Sequence, residues 1–343
     1  MRILFIGGTR FIGYQAVLRL HAQGHTLAVF HRGRSEPELP SGVQHLHGER
    51  ADLVDFRADF QQFAPEVVVD MMALNQGDGE TLARVFRGLA RRLVVISSCD
   101  VYRAYDRLRG ADPGPPDPNP LTEDSPLRDK LYPYREQADS PEHRFYEYDK
   151  ILVERAVMGR PELPATVLRL PMVYGPGDYQ HRTFEYLKRM DDDRPYILLA
   201  ADLAGWRGLR GYVEDMGAAI ALCATQERAA WQTYHVADRE SLTERAWVSR
   251  IAQAAGWQGD IVALPNVQLP AHLQHGYDTS QDWALDSSRI REALGYADFT
   301  SPEVAMQRTV AWERANPPEQ IDPANFDYAA EDTALEAARG AKT

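Results

Sequence analysis

The chain opens with a short apolar run, Arg2 to Ile6, that ends in two glycines. An apolar run closed by Gly7-Gly8 is typical of a buried strand followed by a tight turn. Helical periodicity extends from Phe11 to Ala22, and a second apolar run covers Leu27 to Phe30. The order of strand, turn, helix and strand restricts the chain to folds in which helices connect parallel strands.

The same alternation continues to about residue 170. Further strands are predicted at Val43–Leu46, Val67–Met71, Leu93–Ile96 and Ala165–Leu170, and helices at Ala51–Phe63, Glu80–Leu89 and Pro141–Met158. Strands that are apolar almost throughout indicate a parallel sheet covered on both faces. We therefore predict an α/β fold, a doubly wound Rossmann sheet with a smaller C-terminal α/β substrate-binding domain.

The predicted domains follow from where this alternation breaks. Residues 1–170 form the dinucleotide-binding domain, and residues 212–236 return to it; residues 171–315 form mainly the substrate domain. A loop rich in proline and charge, 103–140, interrupts the first domain. It is interpreted as a surface loop or as a substrate lid, since long ordered loops in enzymes are often functional. Residues 316–343 lack a core face and are predicted to form a mobile tail.

Composition limits the partners and the compartment. The net charge of −12 argues against nucleic acid or an anionic membrane as the main partner. Two cysteines indicate a reducing compartment and no disulfide framework, and neither has metal-ligand spacing. No apolar run is long enough to span a bilayer. We expect a cytoplasmic protein without a metal site.

The glycine-rich turn between the first strand and helix is a candidate phosphate site. It comprises Gly7, Gly8, Thr9, Arg10, Phe11, Ile12 and Gly13. Such a turn lets a pyrophosphate approach the backbone and rest on the helix N-terminus, although it is also compatible with an ordinary strand-to-helix connection.

The second strand is followed by His31, Arg32 and Arg34, where an acid would select NAD. Basic residues there suit the 2′-phosphate of NADP, unless they form only a solvated loop.

A tyrosine and a lysine are separated by three residues in the segment from Tyr146 to Lys150. On the predicted helix these positions share one face, so the two side chains are neighbours. An ammonium beside a phenol stabilises the phenolate and makes Tyr146 a general acid or base near neutral pH. The chain has only four lysines, so chance explains this spacing poorly. We predict that Tyr146 and Lys150 are catalytic.

A serine pair ends the fifth predicted strand, followed by Cys99 and Asp100. A hydroxyl at the carboxyl end of a central strand points into the ligand crevice. Ser98 is therefore predicted to hydrogen-bond the reacting oxygen together with Tyr146. The alternative is that it only satisfies backbone groups of the turn.

Together these motifs resemble the extended short-chain dehydrogenase/reductase superfamily, the NAD(P)-dependent epimerases and dehydratases of sugar nucleotides. The resemblance covers residues 1–315. Its later landmarks are Leu121–Pro126, Glu154 after Tyr146 and Lys150, Arg169–Pro176, Gly211–Asp215, Asp286–Arg289 and Leu294–Tyr296. The glycine turn is an atypical variant that also resembles the turn of chloroplast stem-loop RNA-binding relatives. Cys99-Asp100 replaces the Asp-Glu of the dehydratases.

The resemblance implies an oxidoreductase that transfers hydride at a carbinol or carbonyl carbon of a sugar, sugar nucleotide or related molecule. It adds Glu49, Arg50, Met72, Ala73, Pro171 and Val173 to the expected contacts of NADP, the preferred cofactor, or NAD. Asp100, Arg182, Arg207 and Arg210 are the expected substrate contacts, since arginine suits a phosphate or carboxylate. A homodimer through the helices at 80–89 and 141–158 is also expected. The alternative is a non-catalytic nucleotide- or RNA-binding protein with the same fold.

Overall fold

The structure, a computed structural model, describes residues 1–34 and 38–340. Its strands are β1 (Arg2–Ile6), β2 (Thr26–His31), β3 (Gln44–His47), β4 (Val67–Asp70), β5 (Arg92–Ser98), β6 (Ala165–Leu170), β7 (Met172–Tyr174), β8 (Tyr196–Ala200), β9 (Arg210–Tyr212), β10 (Thr233–His235) and β11 (Asp260–Leu264). Its α-helices are α1 (Phe11–Ala22), α2 (Arg57–Phe63), α3 (Gln76–Phe86), α4 (Arg103–Leu108), α5 (Lys150–Met158), α6 (Phe184–Asp191), α7 (Ala201–Gly205), α8 (Val213–Thr225), α9 (Glu244–Ala255), α10 (Ser288–Leu294), α11 (Pro302–Ala315) and α12 (Tyr328–Gly340).

Seven of the described strands form one parallel sheet in the order β3-β2-β1-β4-β5-β6-β10. The order reverses direction between β1 and β4, and such a switch point opens a crevice at the carboxyl ends of the strands. The predicted doubly wound Rossmann fold is confirmed. Strand β10, within 212–236, pairs with β6 at the edge of this sheet.

Alternating side chains of the central strands pack on two helical layers. Ile3 and Phe5 of β1 share a core with α1 and α8, whereas Leu4 and Ile6 share a core with α2, α3 and α5. This alternation is what a strand buried on both faces requires. Two small parallel sheets, β7 with β9 and β8 with β11, lie beyond residue 171.

Several predicted helices have different bounds. Residues 51–63 contain a 3-10 turn and then α2, and the helix predicted at 80–89 begins at Gln76, because the Asn75 side chain accepts a hydrogen bond from the Asp78 amide and caps it. The helix predicted at 141–158 is wrong in its first half, because α5 begins only at Lys150.

The loop at 103–140 is packed against the body of the chain. Tyr102 and Leu127 form an antiparallel bridge, and Leu121 bridges Leu285. Leu121 and Arg128 are both buried. This loop, called the lid, is therefore packed on the body of the chain rather than lying free in solvent, and a role in substrate entry stays a prediction.

The C-terminal segment at 316–340 is not part of the mobile tail that the sequence predicted for 316–343, and residues 341–343 lie outside the described residues. It carries α12, on which Glu331 and Leu335 are buried. Leu335 packs in a small apolar cluster with Leu198 of β8 and Leu264 of β11. A buried arginine, Arg189 of α6, pairs with Glu331 at 2.7 Å. The sequence hid this docking because only a few apolar residues of α12 face the body.

Across the described ranges, no helix is both long and apolar enough to cross a membrane.

Candidate active site

The glycine turn after β1 has the backbone that a pyrophosphate site needs. Gly7 and Gly8 have φ values of +80° and +103°, which favour glycine. A Cβ on Gly13 would lie 2.5 Å from the Gly8 Cα, so the turn has no room for a side chain there. Arg10 precedes α1, and its side chain forms no cap hydrogen bond with the helix. These features fit a dinucleotide phosphate at the helix N-terminus.

Other predicted cofactor contacts surround this turn. Thr9 is buried, and Phe11 and Ile12 are half-buried. Pro171 and Val173 lie at the junction of β6 and β7, and a Cβ on Gly177, which follows β7, would lie 3.6 Å from the Phe11 Cα. The structure thus brings both segments to the same end of the sheet.

The end of β2 carries imidazole and guanidinium groups. His31 is the last residue of the strand and is buried, whereas Arg32 and Arg34 are exposed. Arg34 donates to Glu49 at 2.9 Å, so Glu49 belongs to this exposed pair. A carboxylate at the end of β2 normally accepts from the ribose hydroxyls of NAD, and His31 stands in its place.

The end of β4 is organised by an aspartate that the sequence analysis missed. Arg50 donates to both oxygens of Asp70, at 2.9 and 2.7 Å, and also to Asp78 at 2.8 Å. Asp70 in turn accepts from the amides of Met72 and Ala73. Arg50 therefore orients the segment that follows β4, and its guanidinium is already held by carboxylates. The sequence feature that could have identified Asp70 is an acidic residue at the end of an otherwise apolar central strand.

Lys150 reaches the crevice between β4 and β5. Its ammonium donates to the Ala73 carbonyl at 2.5 Å and to the Ile96 carbonyl at 2.9 Å. Burial is the largest influence on this group and lowers the pKa of Lys150 to about 8. The lysine thus lies near the carboxyl ends of β4 and β5.

Tyr146 is not placed on a helix face with Lys150. Its amide donates to the His143 carbonyl, and its own carbonyl accepts from Arg135. The Arg135 guanidinium lies 4.8 Å from the centre of the Tyr146 ring. The contacts described for Tyr146 are therefore with His143 and with Arg135 of the loop, and the predicted i and i+4 relation is wrong because α5 begins only at Lys150.

The start of α5 is set by Asp149. This buried carboxylate accepts from the Ile151 amide at 2.9 Å as the N-cap, and from the Tyr132 amide at 2.7 Å. It also pairs with the buried Arg128 at 3.3 Å. An aspartate cap that is fixed by the loop outweighs the helix-start signal of Pro141.

Tyr148 occupies the position that the sequence assigned to Tyr146. Its hydroxyl donates to Asp100 at 2.9 Å, and the Ser98 side chain is one of its neighbours. Tyr134 of the lid donates to the same Asp100 oxygen at 2.9 Å. Ser98, Asp100, Tyr148 and Lys150 therefore meet at the end of β5. The sequence analysis missed Tyr134 and Tyr148, because the spacing of three residues between Tyr146 and Lys150 had favoured Tyr146.

Asp100 is a buried acid in an incomplete hydrogen-bond shell. Burial raises the pKa of Asp100. Its Oδ1 atom has no hydrogen-bond partner within the part of the chain that the structure describes. Burial and the neighbouring Asp100 also raise the pKa of Tyr148, so the phenol is protonated at neutral pH. The site holds a phenol, a serine hydroxyl and an ammonium around one strand end, which is suited to proton transfer at a carbinol or carbonyl oxygen.

The arginines expected to contact substrate have partners within the chain. Arg182 pairs with Asp178 at 2.6 Å, and Arg210 pairs with the buried Glu244. Arg207 is exposed and donates to a backbone carbonyl. Substrate binding through Arg182 or Arg210 would have to compete with these carboxylates.

Residues 3–237 match the NAD dependent epimerase/dehydratase family. Since the match covers more than half of the chain, the chain belongs to this family. A curated relative, the 2'-dehydrokanamycin reductase of Streptomyces kanamyceticus, is 27% identical over 311 residues, which cover 88% of this chain and 79% of the relative. The chloroplast stem-loop binding protein of 41 kDa b of Arabidopsis thaliana is 23% identical over 75% of this chain and 64% of its own length.

Solved structures with the same fold include WbmG of Bordetella bronchiseptica in complex with NAD, with a TM-score of 0.66, 18% identity and coverage of 92% of this chain and 94% of that one. A UDP-glucose 4-epimerase has a TM-score of 0.68 and 16% identity, over 94% and 100% of the two chains. Membership of this family makes the chain an NAD-dependent enzyme.

Proposed function

We propose that the chain reduces a carbonyl carbon of a sugar, sugar nucleotide or related small molecule, and oxidises the carbinol in reverse. The observation that carries the proposal is the meeting of Tyr148, Ser98 and Lys150 at the carboxyl end of β5. The similarity to a curated reductase favours reduction over epimerisation.

Each side chain at the end of β5 has a separate role in the reduction. When bound, the nicotinamide dinucleotide supplies or accepts the hydride. The Tyr148 hydroxyl gives its proton to the substrate oxygen, and the Ser98 hydroxyl donates a hydrogen bond to that oxygen. Asp100 accepts a hydrogen bond from the Tyr148 hydroxyl and orients it, and the phenol oxygen regains its proton from water after the transfer. Lys150 places a positive charge beside the crevice and favours the phenolate that forms in between.

The test follows the absorbance of reduced nicotinamide with purified protein, supplied with 2'-dehydrokanamycin and a panel of keto sugars. Consumption of reduced cofactor with formation of an alcohol is expected. Conversion of a sugar epimer without net cofactor consumption would make the chain an epimerase and overturn the proposal. The non-catalytic alternative, suggested by the stem-loop binding relative, requires RNA binding without turnover; the net charge of −12 opposes it.

We also propose that NADP(H) is preferred over NAD(H). The last residue of β2 is His31, with Arg32 beside it, so a 2′-phosphate meets no terminal carboxylate. A hydrogen bond between charged groups contributes roughly 1.5–3 kcal/mol. Arg32 is exposed, so solvent screening should keep the selectivity near the lower end, about tenfold.

The preference is measured by titrating the protein with both dinucleotides, in buffer that contains a metal chelator. Arg32→Asp should remove the preference or reverse it, because a carboxylate repels the 2′-phosphate. Arg228→Asp makes the same charge change at an exposed position of another segment and should leave the ratio of the two dinucleotide affinities unchanged. Equal affinities in the wild type, unaltered by Arg32→Asp, would refute the proposal.

A further inference from the structure

Three histidines share one face of the sheet at its β2–β3 edge. His31 of β2 is in register with His47 of β3, and His45 lies two residues before His47, so their side chains point to the same side. Their rings lie close together, with centroids 5.1 Å apart for His31 and His45 and 4.8 Å apart for His31 and His47. One potential ligand atom from each histidine lies within 4.8 Å of the others.

We infer that His31, His45 and His47 bind a divalent transition-metal ion of the zinc class. Imidazole nitrogen suits zinc, nickel and copper, whereas magnesium and calcium prefer oxygen. Three protein ligands with a fourth position open to water form a common zinc arrangement. The sequence analysis expected no metal because it considered only cysteine spacing; two histidines of this set alternate on one strand, and the third becomes their neighbour only through strand pairing.

The observed geometry needs a small adjustment to hold the ion. Zinc bonds nitrogen at about 2.0–2.1 Å, so two tetrahedral nitrogen ligands are roughly 3.3 Å apart. The Nε2 atom of His31 and the Nδ1 atom of His45 are 2.8 Å apart and share a hydrogen bond. The ion replaces that shared proton and widens the gap slightly. The candidate ligand atom of the exposed His47 lies within 4.8 Å of the other two and has to move closer as well.

The proton of His31 must move when the ion binds. The Gly33 amide donates to Nδ1 of His31 at 3.2 Å, so the neutral ring carries its proton on Nε2. With the ion on Nε2, the proton moves to Nδ1 and the long Gly33 bond opens. The nearby Arg32 and Arg34 are exposed, and Arg34 is paired with Glu49, so solvent and that carboxylate screen their repulsion of a cation.

The experiment uses the untagged full-length protein after chelator treatment. Zinc is titrated in competition with a chromophoric chelator, and one equivalent should bind. His45→Ala and His47→Ala should each weaken binding at least about tenfold, because each removes one of three ligands. His25→Ala is the control, since His25 contacts the N-terminal amine and not the cluster. Cobalt should give a visible ligand-field spectrum that both cluster variants lose.

Absence of zinc binding, or equal affinity in the wild type and both cluster variants, would overturn the inference. Far-ultraviolet circular dichroism checks that the variants fold. If His45→Ala fails to fold, the exposed position His47 carries the test alone. Zinc should also raise the melting temperature of the wild type and not that of His47→Ala, because a ligand of the native state stabilises it.

Discussion

Asp100 is the residue on which the chemistry at the end of β5 depends most. Two phenols, Tyr134 and Tyr148, donate to the same carboxylate oxygen, one from the lid and one from the segment before α5. The aspartate therefore fixes the direction of the Tyr148 hydroxyl and links it to Tyr134 of the loop at 103–140.

We predict that Tyr148→Phe lowers kcat on the order of 10²-fold or more, the usual contribution of a general acid. Cofactor affinity should change little, because the lost hydroxyl contacts Ser98 and Asp100. Tyr146→Phe is the matched control, two residues away, and should retain nearly full turnover. If Tyr146→Phe is inactive and Tyr148→Phe is active, the catalytic tyrosine is Tyr146, and the lid rearranges when substrate binds.

The pH profile should report Lys150. Its pKa of about 8 means that the ammonium is lost as pH rises through that value. We predict that kcat/KM for reduction is highest below about pH 8 and falls above it, because the positive charge beside the crevice disappears. A profile that stays flat between about pH 7 and about pH 10 would exclude this role.

The sequence identified part of the site because some positions depend only on local order. Ser98 and the glycine turn follow directly after buried strands, so their places at the crevice could be predicted. Tyr146 was favoured over Tyr148 by the i and i+4 rule, which applies only inside a helix. The helix boundary depended on Asp149, whose partners Arg128 and Tyr132 are close only after folding.

At the level of elements, α8 joins the two regions of the chain. It packs on α1 in the core of the Rossmann sheet, and its first turn carries Asp215. Asp215 is buried and accepts from the Phe299 amide at 3.0 Å. A helix N-terminus favours a charged carboxylate, yet burial has the larger effect here and raises the pKa of Asp215 to about 6.

This pKa predicts a pH-dependent stability. A carboxyl whose pKa is higher in the folded state stabilises the fold fully below its unfolded pKa of 3.8, and this stabilisation is lost as pH rises through about 6. Asp215→Asn removes the contribution, so its melting temperature relative to wild type should rise between about pH 4 and about pH 7. Asp59→Asn changes an exposed aspartate on α2, so the difference between its melting temperature and that of wild type should not change with pH. If the melting temperature of Asp215→Asn relative to wild type also stays the same across this pH range, the prediction is wrong.

Strands were predicted more accurately than helices for a physical reason. Each central strand is buried on both faces, so its apolar run marks its position without knowledge of its neighbours, as β1, β4 and β5 illustrate. Helix ends depend on caps, and a cap such as Asn75 or Asp149 is one polar residue among many candidates. Docked segments such as α12 depend on a partner surface that the local sequence does not reveal.

For the whole molecule, the homodimer stays a prediction. Apolar residues of α5 that could have formed its interface, Ile151, Leu152 and Val157, are buried within the chain. An interface on α3 and α5 would have to use exposed charged residues such as Glu80 and Arg84. We predict that any dimer through this face weakens as salt rises, because exposed charges are screened. Light scattering at low and high salt measures this; a monomer at both, at micromolar concentration, would exclude the dimer.

The C-terminal helix should be part of the stable fold. Arg189 is buried and pairs with Glu331 of α12 at 2.7 Å, whereas its other carboxylate partner, the exposed Glu185, lies 4.0 Å away. His272 lies 3.1 Å from the Glu331 carboxylate. Removing one partner of a buried pair leaves an uncompensated charge and destabilises by about 3–5 kcal/mol. We therefore predict that Glu331→Gln markedly lowers the free energy of unfolding. Asp332→Asn is the matched control on the same helix, because Asp332 is half exposed where it pairs with Arg194 and should contribute about 1 kcal/mol or less.

The two variants also separate docking from catalysis. Arg189 and Glu331 lie on α6 and α12, outside the Rossmann sheet and its glycine turn, so dinucleotide affinity should remain that of wild type below the unfolding transition. Limited proteolysis should cut α12 faster in Glu331→Gln, since the helix would leave its site more often. Equal stability and equal cleavage in the two variants would mean that α12 is only loosely attached, as the sequence alone had indicated.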